Sequence, residues 1–184
     1  MRIIGGTLRG RRLSPVKGDK QRPTLDQVRE ALFNILGGDC SGERVLDLFA
    51  GTGALGLEAL SRGAASCLFV DRDGRALARI KDDLTRFGLE EQGTILRAAF
   101  PGGIKKAPRI PEGYSLIFLD PPYFKGFVAL TLKALADGNL ISTQGRVIVE
   151  HHIKEEVPGQ CGGLILTDRR CYGDTCLAFY AKES

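Results

Sequence analysis

Apolar residues along the chain fall into two repeating patterns. Continuous short runs at 44–49, 66–70, 94–97, 115–119 and 146–150 read as buried strands. Segments 54–62, 75–87 and 126–136 instead place apolar side chains three and four positions apart, the spacing of one helix face. Strands and helices that alternate in this way build a parallel, doubly wound sheet, because each crossover helix returns the chain to the same end of the sheet. Beyond 150, the runs 164–167 and 175–180 leave no room for a helix between them, so a closing antiparallel hairpin is expected. The Gly- and Pro-rich stretch 101–113 reads as a loop, and no internal repeat or low-complexity tract interrupts the chain.

The N-terminal segment follows a different plan. Apolar positions around Ile3 and Leu13 flank glycines, as in a small hairpin with basic residues at its turn. Pro23-Thr24 followed by Gln27 is a capping-box pattern, and Leu25, Val28, Leu32, Ile35 and Leu36 form an apolar stripe that stops at Gly37-Gly38, which predicts a helix. The expected division is an extension over 1–40, hairpin plus helix, and an α/β domain over 41–184.

The chain's 184 residues suit one domain with a small appendage. Its composition, 43% hydrophobic and 26% charged, excludes disordered, collagen-like and coiled-coil classes. No apolar stretch is long enough for a membrane helix, and the start carries Arg and Gly rather than an apolar signal region, so a cytoplasmic protein with no membrane association is expected. Cys40, Cys67, Cys161, Cys171 and Cys176 are odd in number and lack metal-site spacing, and the only histidines are the adjacent His151 and His152. Neither a disulfide framework nor a metal site is expected, and Glu150, His151 and His152 read as a solvated strand terminus. Net charge is only +4, but its distribution is uneven: between Met1 and Glu30, Arg2, Arg9, Arg11, Arg12, Lys17, Lys20, Arg22 and Arg29 are opposed only by Asp19, Asp26 and Glu30. A basic arm before a nearly neutral body suggests a nucleic-acid partner. Arg22 and Arg29 could face that partner or solvent.

Chemistry enters at the end of the first predicted strand. Asp47-Leu-Phe49-Ala50-Gly51-Thr52-Gly53-Ala-Leu-Gly56 contains Gly-x-Gly-x-x-Gly between a strand and a helix, the pattern that lets backbone pass close beneath a nucleotide-type ligand. Asp71 ends the next strand, at the spacing from Gly51 where a carboxylate could accept both ribose hydroxyls. The pattern alone leaves a nicotinamide dinucleotide and S-adenosylmethionine equally open.

Asp120-Pro121-Pro122-Tyr123 follows the apolar run 116–119 and should lie beside the first strand, at the switch point where open sheets bind ligands. Methylation of an exocyclic base amine requires that the nitrogen lone pair, delocalised into the ring, be freed toward the methyl donor. The Asp120 carboxylate and the Pro121 carbonyl supply two acceptors for that amine, the proline rings lock their own φ so that the carbonyls hold position, and Tyr123 offers a ring for stacking. Asp120 is expected near the ordinary carboxylate pKa of about 4, hence as a hydrogen-bond acceptor rather than a strong base.

These motifs together resemble the class I, S-adenosylmethionine-dependent methyltransferases that act on nucleic-acid bases, and one family within them is more similar still. Arg-Pro-Thr-x-Asp-x-Val-Arg-Glu-Ala-Leu-Phe-Asn-Ile-Leu from Arg22 to Leu36, the glycine segment from Val45 to Ala64, Ile117 to Tyr123, and Tyr172-Gly-Asp-Thr175 resemble the bacterial RsmD family. The resemblance runs from Met1 to Tyr180. It implies a Rossmann-like fold with a seven-stranded, mostly parallel sheet whose last strand is antiparallel, and methylation of N2 of guanine 966 in 16S ribosomal RNA, within the small subunit or its assembly intermediate, by a monomer. It further implies S-adenosylmethionine held by Asp47, Phe49, Ala50, Gly51, Thr52, Gly53, Asp71 and Arg72, base handling by Asp120, Pro121, Pro122 and Tyr123, and phosphate contacts from Arg9, Arg11, Arg12, Arg22 and Arg29. One departure stands out: where such enzymes often carry an acid after the third strand, against the adenine amino group, this chain has Ala98 and Ala99. The rival readings are a DNA adenine-N6 methyltransferase, a nicotinamide oxidoreductase and a non-catalytic RNA-binding assembly factor.

Overall fold

The most continuously apolar segments form the centre of the molecule. β1 (Arg44–Leu48) and β4 (Tyr114–Leu119) pair in parallel, Leu46 opposite Ile117 and Asp47 opposite Phe118, and are buried along almost their whole length. Such two-sided burial is what a parallel sheet covered by helices on both faces demands. The computed structural model describes residues 1–15, 23–100 and 102–183. Arg22 and Pro101 lie outside the described residues.

β2 (Ser66–Asp71) and β3 (Gly93–Arg97) extend the parallel sheet on one side of β1, and β5 (Ile141–His152) extends it beyond β4. β8 (Thr175–Lys182) then pairs antiparallel with β5, and β7 (Leu164–Tyr172) with β8. The order is β3-β2-β1-β4-β5-β8-β7-β6. The expected alternation and closing hairpin are therefore present, with eight strands rather than seven because β6 (Gln160–Cys161), too short to carry a pattern, adds an edge.

Alternate side chains of the strands feed two cores. Val45, Phe69, Leu116 and Phe118 meet α1 (Pro23–Ile35), α2 (Ala54–Ser61) and α3 (Gly74–Phe87) on one face. Leu46, Leu48, Ile117 and Leu119 meet α4 (Gly102–Lys106) and α5 (Phe127–Gly138) on the other. The stretch expected as a loop at 101–113 thus contains a short helix, whose Ile104 is buried in the second core. Its glycines hid the element because tertiary burial, not propensity, holds it. α3 ends as its sequence signals, with the Asp73 carboxylate accepting the Arg75 N–H at 2.8 Å and Gly88 closing the helix in the left-handed region.

The N-terminal hairpin forms as expected, Arg2 bridging Arg12, with Ile3 and Leu13 buried in the first core. Glu58 on α2 secures it. This fully buried carboxylate accepts the N–H groups of Ile4 (2.9 Å) and Gly5 (2.7 Å) and is paired with Arg62 (2.8 Å) and Arg29 (3.7 Å). Burying such a charge is tolerable only with its lone pairs this fully used. Phe33 of α1 packs edge-on against Phe118, 5.8 Å between ring centroids, so hairpin and helix share their core with the sheet.

Cys171 and Cys176 correct one expectation. They stand opposite each other where β7 turns into β8 and are joined as a disulfide, a pairing that register, not sequence spacing, sets up. Among the described residues no helix is long and apolar enough to cross a membrane, and no three metal-binding side chains cluster.

Candidate active site

All four parallel strand ends that matter lie at one edge of the sheet. The register pairs Asp47 with Phe69 and Phe118, and Leu119 with Val149, so Asp47, Asp71, Asp120 and Glu150 come to the carboxyl edge of β1, β2, β4 and β5. A cleft of about 430 Å³ opens there, lined by Phe49, Gly51, Asp71, Arg72, Ala99, Phe100, Phe127 and the whole of Asp120 to Tyr123. A smaller adjoining space of about 80 Å³ is bounded by Met1, Arg29, Asp47, Phe49, Ala50, Thr52, Asp120 and Glu150.

The glycine turn is shaped by contacts that exclude side chains. Gly53 has φ 71°, and a Cβ on it would lie 2.8 Å from Ile80 Cγ1; one on Gly56 would meet the Phe69 ring at 2.3 Å. The first lets the loop turn, and the second lets α2 press onto β2. Phe49 holds a left-handed backbone, φ 62°, a conformation that costs a bulky residue on the order of 1–3 kcal/mol. The strained turn aims its ring onto Phe100, 3.9 Å between centroids, and toward Phe127 at 5.6 Å, making an aromatic wall for the cleft.

Asp71 lines the same cleft. One carboxylate oxygen accepts the Gly51 N–H at 2.8 Å and the other the Asp73 N–H at 2.8 Å. Each oxygen retains a second lone pair for a ribose hydroxyl. Asp47 is different: 2% exposed and held by the Gly56 N–H at 3.0 Å, its carboxyl is pushed up to about 8 by burial, with the Asp71 charge adding to the rise. An aromatic wall beside a ribose-ready carboxylate fits an adenosine. The residues present therefore suit S-adenosylmethionine. At the position without the usual acid, the Ala98 N–H is taken by the Asp71 carbonyl at 2.9 Å, while Ala99 and Phe100 border the cleft.

The Asp120 to Tyr123 turn also lines the cleft. Asp120 opens onto it, yet the protein packed around this residue, then the Glu150 and Asp47 charges, hold its carboxyl well above the usual carboxylate range. This corrects the expected ordinary acidity and makes it a stronger base. Tyr123 donates its hydroxyl to Glu150 Oε1 at 3.1 Å, and burial, followed by the Glu150 charge, raises its own pKa. Next to it Phe124, 60% exposed at φ 57°, meets His152 at a tilt, 5.0 Å between centroids.

Two expectations fail at this edge. Glu150 and His151 are no solvated strand terminus: β8 covers them through register pairs with Leu177 and Cys176, His151 is fully buried, and burial raises the Glu150 pKa. The missed signal was the apolar run 147–149 leading into an acid beside Asp120. Arg29, expected on phosphates, is 4% exposed and donates to the Arg2 carbonyl (2.6 Å) and Asp26 (3.0 Å). Its place on the inner helix face, between Val28 and Leu32, makes it part of the fold. Arg9, Arg11 and Arg12 are exposed on the hairpin, and Met1 at its start borders the smaller space.

Comparison with known proteins agrees with this arrangement. The family described as conserved hypothetical protein 95 matches residues 1–181. YlbH of Bacillus subtilis, which carries the provisional name of an rRNA methyltransferase, is 38% identical over 183 residues, covering 100% of both chains. Ribosomal RNA small subunit methyltransferase D of Escherichia coli K12 is 30% identical over 184 residues, 100% of this chain and 91% of that one. Among solved structures, yhhF of Escherichia coli, provisionally described as a methyltransferase, superposes with a TM-score of 0.85 at 31% identity, covering 100% of this chain and 98% of that one.

Proposed function

The chain belongs to the conserved hypothetical protein 95 family, the RsmD family, and on that footing we propose that it transfers a methyl group to N2 of a guanine, guanine 966, in small-subunit ribosomal RNA. It is an S-adenosylmethionine-dependent rRNA methyltransferase. The observation that carries the finer reading is the Asp120 to Tyr123 turn, with Asp120 open to the same cleft as Asp71 and Gly51.

S-adenosylmethionine, when bound, supplies an electrophilic methyl on a positively charged sulfur. Asp71 accepts the ribose hydroxyls while its grip on Gly51 keeps the turn closed. Phe49, Ala99, Phe100 and Arg72 line the part of the cleft that would take the adenine, and Asp47, Ala50 and Thr52, with Gly53 in the same turn, would hold the amino-acid end. Tyr123 stacks on the flipped base, and Asp120 with the Pro121 carbonyl accepts the two N–H bonds of N2. Fixing the amine this way rotates its lone pair out of the ring and toward the methyl, which is where most of the rate arises. Asp120, with its raised pKa, then takes the proton that the methylated amine loses. Arg9, Arg11 and Arg12 hold phosphates flanking the target; Arg22 belongs to the same basic segment in the sequence.

Incubation of the protein with methyl-labelled S-adenosylmethionine and, separately, unmodified small-subunit RNA and duplex DNA tests this reading. Label recovered as N2-methylguanosine is expected. Label in N6-methyladenosine or its deoxy form overturns the substrate, and cofactor binding without any transfer points to a non-catalytic assembly factor.

A further inference from the structure

Glu150 is a half-buried acid beside the reacting position for which the transfer step has no use. It follows Val149 as Asp120 follows Leu119, and these two residues are register partners on neighbouring parallel strands, so both carboxylates emerge side by side. Both also bound the same small space next to the main cleft. Tyr123 donates to Glu150 Oε1 at 3.1 Å, which fixes the carboxylate, while Oε2 makes no hydrogen bond among the described residues. Surrounding protein raises both carboxyls, and the Glu150 charge adds to the rise at Asp120, as expected of two acids brought to the same space.

We propose that Glu150 determines which base is methylated: its second oxygen accepts the ring N1–H of guanine while Asp120 and the Pro121 carbonyl accept from N2. The inference rests on the reading of the cleft as a site that methylates a base amine.

The argument is one of donors and acceptors. The relevant edge of guanine presents two adjacent donors, N2–H and N1–H. Adenine presents one donor, N6–H, beside an unprotonated N1. Two carboxylates in a row match the first pattern. Against the second, the Glu150 oxygen faces the N1 lone pair, and an acceptor covered by the base is left unpaired. Sites built to bind an N–H reject analogues lacking it by a factor on the order of 10⁴. Glu150 also keeps Tyr123 in place, so a purely structural role must be separated from recognition.

The probe is 2-aminopurine at the target position of the RNA: it keeps the N2 amine but has no proton on N1. It also lacks O6, so the informative quantity is the ratio of kcat/KM for guanine over 2-aminopurine, compared between the wild type and Glu150→Gln. Gln keeps an acceptor for the Tyr123 hydroxyl and can turn an amide donor toward N1. The wild type is expected to favour guanine by at least about 100-fold, and Glu150→Gln to shrink that ratio at least about 10-fold, with unchanged S-adenosylmethionine affinity. Tyr123→Phe, which removes the Tyr123–Glu150 bond alone, is expected to slow both substrates and leave the ratio intact. A wild-type ratio near one overturns the inference even where the Gln variant fails to fold, as does an unchanged ratio in that variant. If the folded, cofactor-binding wild type transfers no methyl to guanine at all, the underlying reading of the cleft falls and this one falls with it.

Discussion

Asp71 Oδ2 accepts the backbone N–H of Gly51 at 2.8 Å, which ties the end of β2 to the glycine turn after β1. One side chain thus shapes the loop and presents the lone pairs a ribose needs. Asp71→Ala is expected to raise the Kd for S-adenosylmethionine by about 10- to 100-fold, the loss of one to two hydrogen bonds to a charged acceptor. Isothermal titration reads it directly; an affinity within a factor of two of the wild type contradicts the assignment.

Buried Asp47 makes stability depend on pH. Its carboxyl rises from 3.8 to about 8 on folding, mainly through burial, so the folded state binds that proton more tightly than the unfolded chain does. The contribution is complete below 3.8 and is lost as pH rises toward about 8. Its slope is at most about 1.4 kcal/mol per pH unit. The raised carboxyls of Asp120 and Glu150 act in the same direction. Asp47→Asn, whose amide oxygen can still accept the Gly56 N–H, is expected to flatten the fall in Tm between about pH 5 and pH 8 without removing it. Equal slopes in variant and wild type would show that Asp47 titrates normally.

Much of this was legible in the chain. The run from Val45 to Leu48 and the run from Leu116 to Leu119 are almost wholly apolar because both faces of those strands are covered, and the glycine motif with its spaced acid located the cleft. What the chain concealed depends on partners distant in sequence. Arg29 looks like any helix arginine until Glu58 and the Arg2 carbonyl close on it, and Glu150 looks like a strand terminus until β8 covers it. Burial also changed chemistry: the carboxyl of Asp120, ordinary in isolation, is raised by surroundings that separate strands bring together.

The hairpin's hold on the sheet depends on Glu58. Glu58→Ala leaves the N–H groups of Ile4 and Gly5 unpaired and removes the 2.8 Å partner of Arg62 and one of the two acids beside the buried Arg29. A cost of about 3–5 kcal/mol is expected, the usual penalty for breaking a buried pair from one side. Denaturant unfolding measures it, and a change under about 1 kcal/mol contradicts the anchoring role.

Phosphate binding by the hairpin predicts a graded salt response. Replacing Arg9, Arg11 and Arg12 together with Gln is expected to lower the magnitude of the log–log salt slope by up to roughly 0.7 to 0.9 for each phosphate no longer neutralised, weakening binding to all RNA sequences alike. An unaltered slope places the phosphates elsewhere. The fold is expected to survive the triple replacement, because all three side chains are exposed.

Single-turnover methylation of guanine 966 in unmodified small-subunit particles, comparing the wild type with Asp120→Ala at saturating S-adenosylmethionine, bears most directly on the cleft as the place of transfer. A rate lower by about 10² to 10⁴ in the variant, with cofactor affinity within a few-fold of the wild type, is expected of an amine acceptor that also takes the proton. A variant that methylates the same guanine at the wild-type rate would contradict it.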